Sequence, residues 1–300
     1  MLYQTIFAQW GWAGLLVFSL VFGLGLYAAV ATVAYAYYFR WHRNRFVPDY
    51  CADRAQLRHA IGWSIYGIVG NALLLLPIQV LVAKGYGRVY GDVSAYGWAY
   101  LPLSLAMVVL FAETCIYWIH RALHVQPLYR WLHRYHHRYR EPNPAISFSF
   151  HPVDSFAQST PYHIFAFLVP LHAWIYVGLI GFAALWALLI HNRVCWVPAT
   201  IVNNTGCHTA HHWYYRYNYG NYFTLWDRLA GTYFDPAGLP EKFFASKYGW
   251  RRVAIEQRPA VSCQRVAPEP PRRHAPTDAA HRNRPAICRR SGSGRPARPG

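Results

Sequence analysis

The chain has 300 residues and a mass of 34.6 kDa; 54% of its residues are hydrophobic, 18% aromatic and only 14% charged. About a quarter of residues are charged in ordinary soluble proteins, so this composition excludes a disordered chain, a coiled coil and a typical soluble globule, and points to a membrane protein. The net charge of +17 does not indicate a nucleic-acid partner, because residues 250–300 alone hold twelve Arg against three acids. Much of the remaining positive charge flanks apolar runs, where it sets membrane topology.

Taken in chain order, the first apolar run extends from Trp12 to Phe39 without a charge. It is too long for a signal peptide and lacks a basic start, so it is read as a transmembrane helix. The segment Arg40–His59 carries five Arg and two Asp and is assigned to the cytoplasm. A second span is predicted over Ile61–Ala83 and a third over Trp98–Ile119, which returns the polar stretch after His120 to the cytoplasmic side. The fourth apolar region, Tyr162–Ile190, is interrupted by Pro170 and His172. Beyond Trp250 the chain is rich in Arg, Pro, Ala and Gly, with almost no large apolar residues, and is expected to be disordered. The six Cys form no CxxC pair and read as free thiols.

Sixteen His in such a chain call for an explanation, and nine of them fall into four groups. His120 and His124 lie in HRALH, His133, His136 and His137 in HRYHH, His191 alone ends the fourth apolar region, and His208, His211 and His212 lie in HTAHH. On a helix, residues i, i+3 and i+4 share a face, so HxxxH presents two imidazoles and HxxHH three. Isolated His42, His59, His163 and His172 read instead as interfacial surface residues, and His274 and His281 as part of the tail. So many imidazoles exceed the needs of structural zinc, and imidazole suits several transition metals. A paired-iron, oxygen-activating site is the economical reading. The clusters on either side of residues 162–190 can share one site only on the same side of the bilayer. A single span would separate them by about 30 Å of hydrocarbon. That region is therefore predicted to be a hairpin turning near Pro170.

The order HRALH, HRYHH, HTAHH on a chain with these spans resembles the fatty acid hydroxylase and sterol desaturase superfamily. SFHPVDSFAQSTPYHIFAFLVPLH (149–172), LIHN around His191 and GCHTAHHWYYRYNYGNYFTLWDRLAGTY (206–233) are more closely similar to sterol C5-desaturases, the lathosterol oxidases. The resemblance covers roughly residues 110–236. It implies that His120, His124, His133, His136, His137, His208, His211 and His212 are iron ligands, with His191 a ninth, and that His151 and Asp227 are candidates for a supporting shell. For His151 the alternative is a helix cap, and for Asp227 a salt bridge to Arg228 or Arg216. Asp154 follows Pro152 by two and reads as a cap for a helix start.

The implied activity is O2-dependent oxidation with two non-haem irons and O2 as co-substrate. It would introduce the 5(6) double bond of a Δ7-sterol; hydroxylation of a sphingoid base, fatty acyl chain or isoprenoid is the alternative. The implied partners are a sterol or other lipid, the membrane, and a separate electron donor such as cytochrome b5 or a ferredoxin system, with no nucleic acid. The active site would face the cytoplasm, at the endoplasmic reticulum in a eukaryote or the inner membrane in a bacterium. The predicted fold is an all-α integral membrane protein of three transmembrane helices plus a helical hairpin, with a cytoplasmic helical cap holding a His-rich di-iron site. The expected domains are N-terminal transmembrane helices over 1–109, a fatty acid hydroxylase-type catalytic domain over 110–250 and a disordered tail over 251–300.

Overall fold

Apolar runs without internal breakers become long helices, because inside hydrocarbon each backbone N–H and C=O must be satisfied within the segment. In a computed structural model the described residues are 2–238, apart from 48, 49, 51, 140, 141 and 198; the tail expected to be disordered lies outside them. The first helix, α1 (Leu2–Ala34), runs on into a more loosely wound segment, Tyr35–Trp41, giving a 40-residue span that starts well before Trp12. The backbone breaks at Gly11, whose φ of 60° is one that a glycine adopts without strain. After the single turn α2 (Arg43–Phe46), α3 (Arg54–Ala83) is capped by Asp53, whose Oδ1 accepts the N–H groups of Ala55 at 2.8 Å and Gln56 at 3.2 Å. A two-residue strand, β1 (Val89–Tyr90), precedes α4 (Tyr100–Leu123). At about 1.5 Å per residue, α4 is long enough to cross a membrane.

Then come the short α5 (Leu128–Trp131), a tight 3-10 segment over His133–Arg138, α6 (Pro152–Leu168), β2 (Leu171–His172), α7 (Ala173–Ile190), α8 (Thr205–Tyr214) and α9 (Leu225–Leu229). Among the described residues, α1 with its extension, α3, α4 and α7 are long and apolar enough to span a bilayer. The other leg of the expected hairpin, α6, has 17 residues and carries Asp154, Gln158 and His163.

The turn between α6 and α7 contains Pro170, and its location is fixed by partners. Leu171 and His172 pair in parallel with Val89 and Tyr90, and the Tyr100 hydroxyl donates to the Pro170 carbonyl at 3.0 Å. The turn therefore meets the connection between α3 and α4. At the other end, Phe46, Val47 and Tyr50 pack with Val194, and His59 bonds to the Tyr139 hydroxyl. The Arg-rich segment 40–59 thus shares its end of the helices with the residues around the histidine boxes.

The main core is made where α1, α3, α4, α6 and α7 meet, around Leu15, Val82, Val108, Ala112, Phe165 and Leu179. Val21, Leu73, Leu110 and Trp174 point outward and are exposed. Apolar surface on that scale is rare on soluble monomers and ordinary for a protein dissolved in lipid.

One close approach links the spans to the histidine region. A Cβ on Gly70 would lie 2.4 Å from Pro152 Cβ, and one on Gly67 would lie 2.8 Å from the Phe150 carbonyl oxygen. The hydroxyls of Tyr27 and Ser64 both donate to the Ala145 carbonyl, at 2.8 and 2.9 Å, tying residues 144–152 to α1 and α3. Phe150 then stacks on His136 with ring centroids 4.0 Å apart and planes 13° from parallel. Gly67→Val is accordingly expected to cost about 1–3 kcal/mol through overpacking. Its thermal unfolding in detergent should fall below wild type, whereas Gly62→Val, where a Cβ meets nothing within 4 Å, should unfold near the wild-type temperature.

Candidate metal centre

Four local devices deliver the nine histidines. His120 sits in the last turn of α4 and His124 caps its C-terminus. His133, His136 and His137 lie on the 3-10 segment. His191 is the C-cap of α7. His208, His211 and His212 lie on α8, which starts at Asn204; that side chain accepts the N–H groups of Gly206 at 2.9 Å and Cys207 at 3.2 Å. α8 stops at Tyr215, in the left-handed conformation with φ 61°.

These nine side chains form two adjoining groups. His120, His124, His133, His137 and His211 make one, His136, His191, His208 and His212 the other, and within each the ligand atoms lie within 4.8 Å of one another. Each HxxHH motif brings its three imidazoles to the site but divides them between the two groups. In both motifs the first and last histidines enter one group while the middle one enters the other. The members that part company are neighbours in sequence, His136 and His137 on the 3-10 segment and His211 and His212 on α8, where adjacent residues point about 100° apart. The boxes nevertheless meet: His137 Nε2 is 3.0 Å from His211 Nε2, and the rings of His137 and His212, from different groups, lie 4.7 Å apart.

The Nε2 atoms face each other at short range. His120 and His133 are separated by 3.1 Å, His133 and His137 by 3.0 Å, His191 and His208 by 2.8 Å, and His208 and His212 by 3.2 Å. The opposite ring nitrogens explain why the His120–His133 approach is not an ordinary hydrogen bond. His120 Nδ1 donates to the Tyr219 carbonyl at 2.9 Å, and His133 Nδ1 donates to Asp154 Oδ2 at 2.7 Å. A neutral imidazole carries one N–H, so both Nε2 atoms present lone pairs to each other. His191 Nδ1 donates to the Ala187 carbonyl and His211 Nδ1 to the Tyr217 carbonyl at 2.7 Å, which directs their Nε2 lone pairs inward as well. Two nitrogens about 2.1 Å from one ion and at right angles lie about 3.0 Å apart, so the observed spacings fit a shared cation. The donor set therefore fits transition-metal ions that favour imidazole, iron included.

Around the imidazoles the acceptors are carbonyls and one carboxylate, the arrangement that fixes the tautomer and orientation of a ligating histidine. Asp154, expected only as a cap, bonds His133 directly and also accepts from Gln158 Nε2 at 2.7 Å. Its position two residues after Pro152 is equally suited to both roles, so the sequence offered no means of separating them. His151, outside both groups, caps α6 with its Nδ1 accepting the Val153 N–H at 3.3 Å. Asp227 does not touch an imidazole: it accepts the N–H groups of Tyr219 and Gly220, each at 2.9 Å, and the Thr232 hydroxyl.

Two of the four histidines read as interfacial are instead buried. His163 shares a 2.6 Å hydrogen bond with the Tyr176 hydroxyl between α6 and α7. His172 donates from Nε2 to the Gly91 carbonyl at 3.2 Å and accepts the Trp174 N–H on Nδ1, capping α7. Partners within the protein, rather than lipid headgroups, satisfy their polar atoms. His42 is exposed, and His59 is half-buried against Tyr139.

Burial pushes the His191 imidazole down to about 4. Burial, followed by repulsion between neighbouring imidazoles, also lowers His124, His136, His137, His208, His211 and His212. These groups are thus neutral and ligand-ready at physiological pH.

The described residues define a helical integral membrane protein with two adjoining groups of buried histidines arranged to bind metal. The family model described as Fatty acid hydroxylase matches residues 105–232. A Delta(7)-sterol 5(6)-desaturase of Aspergillus fumigatus is 38% identical over 218 residues, 72% of this chain and 61% of that protein. One from Schizosaccharomyces pombe is 38% identical over 216 residues, covering 72% and 65%. The lathosterol oxidase of Mus musculus is 35% identical over 222 residues, covering 72% and 73%. The chain thus spans less than two thirds of the length of the two fungal relatives. No solved structure matches it. The chain belongs to the fatty acid hydroxylase family.

Acid should empty the centre. In the unfolded chain histidines take up protons below about pH 6.5, whereas the folded site takes them up only at lower pH. The unfolded state then binds more protons, so the stability present above that pH is lost as pH falls toward the folded values. Metal retention has the same sign, because only the neutral imidazole ligates. Metal per chain should be full after equilibration at pH 7.5, remain high at pH 5, and be largely lost once the pH falls below about 4, where His191 takes up its proton.

Proposed function

We propose that this chain is a membrane-bound, O2-dependent oxidoreductase with two non-haem irons, which introduces the 5(6) double bond into a Δ7-sterol. The observation that carries this reading is the pair of buried histidine groups whose Nε2 lone pairs face one another. The desaturase and lathosterol oxidase names of the relatives supply the substrate class. His120, His124, His133, His137 and His211 would hold one iron, and His136, His191, His208 and His212 the other. The net reaction consumes a CH–CH unit, O2, two electrons and two protons, and yields a C=C bond and two waters.

Iron bound here would supply the electrons that activate O2 and the oxidising power to break an unactivated C–H bond. The protein's part is to hold, orient and dry the site. Carbonyls of Tyr217, Tyr219 and Ala187 and the Asp154 carboxylate hold the Nδ1 protons outward, so that every oriented ring offers a lone pair inward. Tyr129, Tyr215, Tyr219 and Phe150 pack against the imidazoles and restrict water. A neutral imidazole shell would leave the cationic charge of bound iron uncompensated by its ligands, with Asp154 one layer out as the nearest balancing carboxylate.

The Arg-rich segment 40–59 lies at the same end as the boxes, which supports a cytoplasmic site under the positive-inside rule. There a separate soluble or membrane-tethered electron donor, cytochrome b5 or a ferredoxin system, would reach it. A lipid substrate would approach from the apolar faces of the neighbouring helices.

Two measurements test the reading. Purified protein should contain about two irons per chain and no haem Soret band. Expression in yeast lacking its own C5-desaturase should restore the 5(6)-unsaturated sterol. His136→Ala or His211→Ala should lower product by more than about 100-fold, because even a supporting residue outside the ligand shell costs about 10–100-fold. His163→Ala should instead reduce the amount of assembled protein, by about 1–3 kcal/mol of stability, since it leaves the buried Tyr176 hydroxyl unpaired. Wild-type product from the His136 or His211 variant would refute the ligand assignment.

A further inference from the structure

Two more carboxylates are wholly buried, Glu113 in α4 and Asp227 in α9, and between them they take up five consecutive backbone N–H groups. Asp227 accepts those of Tyr219 and Gly220, both at 2.9 Å. Glu113 accepts Asn221 and Phe223 on Oε1, each at 3.2 Å, and Tyr222 on Oε2 at 2.7 Å. Glu113 is the one acid within the apolar helix α4, and it is seven residues from His120 on the same helix. Residue 220 has no room for a side chain: a Cβ there would lie 2.3 Å from the Phe223 carbonyl oxygen and 3.1 Å from an oxygen of each carboxylate.

With its amides taken up in this way, the turn's carbonyls point elsewhere. The Tyr219 carbonyl receives the His120 Nδ1–H at 2.9 Å, the Gly220 carbonyl the side-chain amide of Asn203, and the Asn221 carbonyl the Trp186 indole N–H at 2.8 Å. Burying a carboxylate is costly unless hydrogen bonds and opposite charge offset it. Here the hydrogen bonds come from one turn, and that turn holds a ring of the five-histidine group.

We propose that Glu113 and Asp227 are positioning residues for the metal centre: they set the 219–223 turn so that its first carbonyl fixes the tautomer of His120 and aims Nε2 into the five-histidine group. The inference rests on the metal-binding reading above. A carboxylate is required because it only accepts. The Gln or Asn amide would place a donor against one of the turn's N–H groups, tilting the Tyr219 carbonyl away from His120.

The test compares wild type, Glu113→Gln, His120→Ala and the double variant, each loaded with ferrous iron alone and challenged with a chelator. Glu113→Gln should release iron about 10–100-fold more readily than wild type. The double variant should release it no faster than His120→Ala, because the carboxylate acts through that ring. In protein loaded with cobalt(II), the paramagnetically shifted His120 Nδ1–H resonance, identified by its absence in His120→Ala, should exchange with solvent faster in Glu113→Gln.

Iron release and proton exchange unchanged in Glu113→Gln would overturn the proposal. So would effects of Glu113→Gln and His120→Ala that multiply in the double variant, which would mark Glu113 as generally structural. If Glu113→Gln does not assemble, Asp227→Asn carries the same comparison through the other carboxylate; failure of both to assemble would also reject the positioning role. Wild-type protein that binds no iron would defeat the metal reading itself, an outcome distinct from iron-filled wild type with an indifferent Glu113 variant.

Discussion

Lone pairs held about 3 Å apart in a buried site repel, and most of this structure serves to keep them there. The His120–His133 pair shows the constraint most directly, because each ring has given its only proton to an acceptor on the far side. Such a pair is stable when a cation sits between the nitrogens. The protein prepares for that cation with neutral, buried imidazoles and with carboxylates displaced outward. Asp154 touches a ring, whereas Glu113 and Asp227 work through a backbone turn. Burial weakens proton competition for the same nitrogens, so the environment that makes the empty site unfavourable also favours the filled one.

The same requirement explains the path of the chain. Histidines separated by a long apolar region have to reach one point, and the α6–α7 hairpin achieves this by turning at Pro170 beside the connection that carries β1. Because α4 and α7 both end at histidines of the two groups, His120 and His191 are presented from helices long and apolar enough to be anchored in lipid. The close packing at Gly67 and Gly70 holds the remaining wall, since residues 148–152 pass between α3 and the ring of His136. A side chain at either glycine would press on the segment that orients that ring.

Much of this was legible in the sequence, for identifiable reasons. The nine grouped histidines stood out because metal-ligand spacing is local, and the hairpin followed from requiring them on one side of a bilayer. What the sequence concealed was set by tertiary partners or by local winding. Spacing brought His133, His136 and His137 to one site, but it did not show that the adjacent His136 and His137 would enter different groups. His163 and His172 looked interfacial because they flank an apolar run, yet Tyr176 and Gly91 supply their partners from within the protein. Glu113 in an apolar run gave no hint that it would meet residues more than a hundred positions away. The helical segment before Trp12 was hidden because Leu2–Gly11 contains polar residues; it is divided from the longer helix by the break at Gly11 and packs through Tyr3 and Ile6 in the main core.

The exchange of middle histidines between the two groups has a consequence for how such a protein matures. Neither group can be assembled from one box, since His136 leaves its own segment for the α8 group and His211 leaves α8 for the other. On the two-iron reading, the first ion to bind would draw both backbones into register and so complete most of the second pocket before its ion arrives. Loading would then be cooperative and scarce metal shared unequally, so that a metal-starved membrane would hold full molecules beside empty ones, with few half-filled.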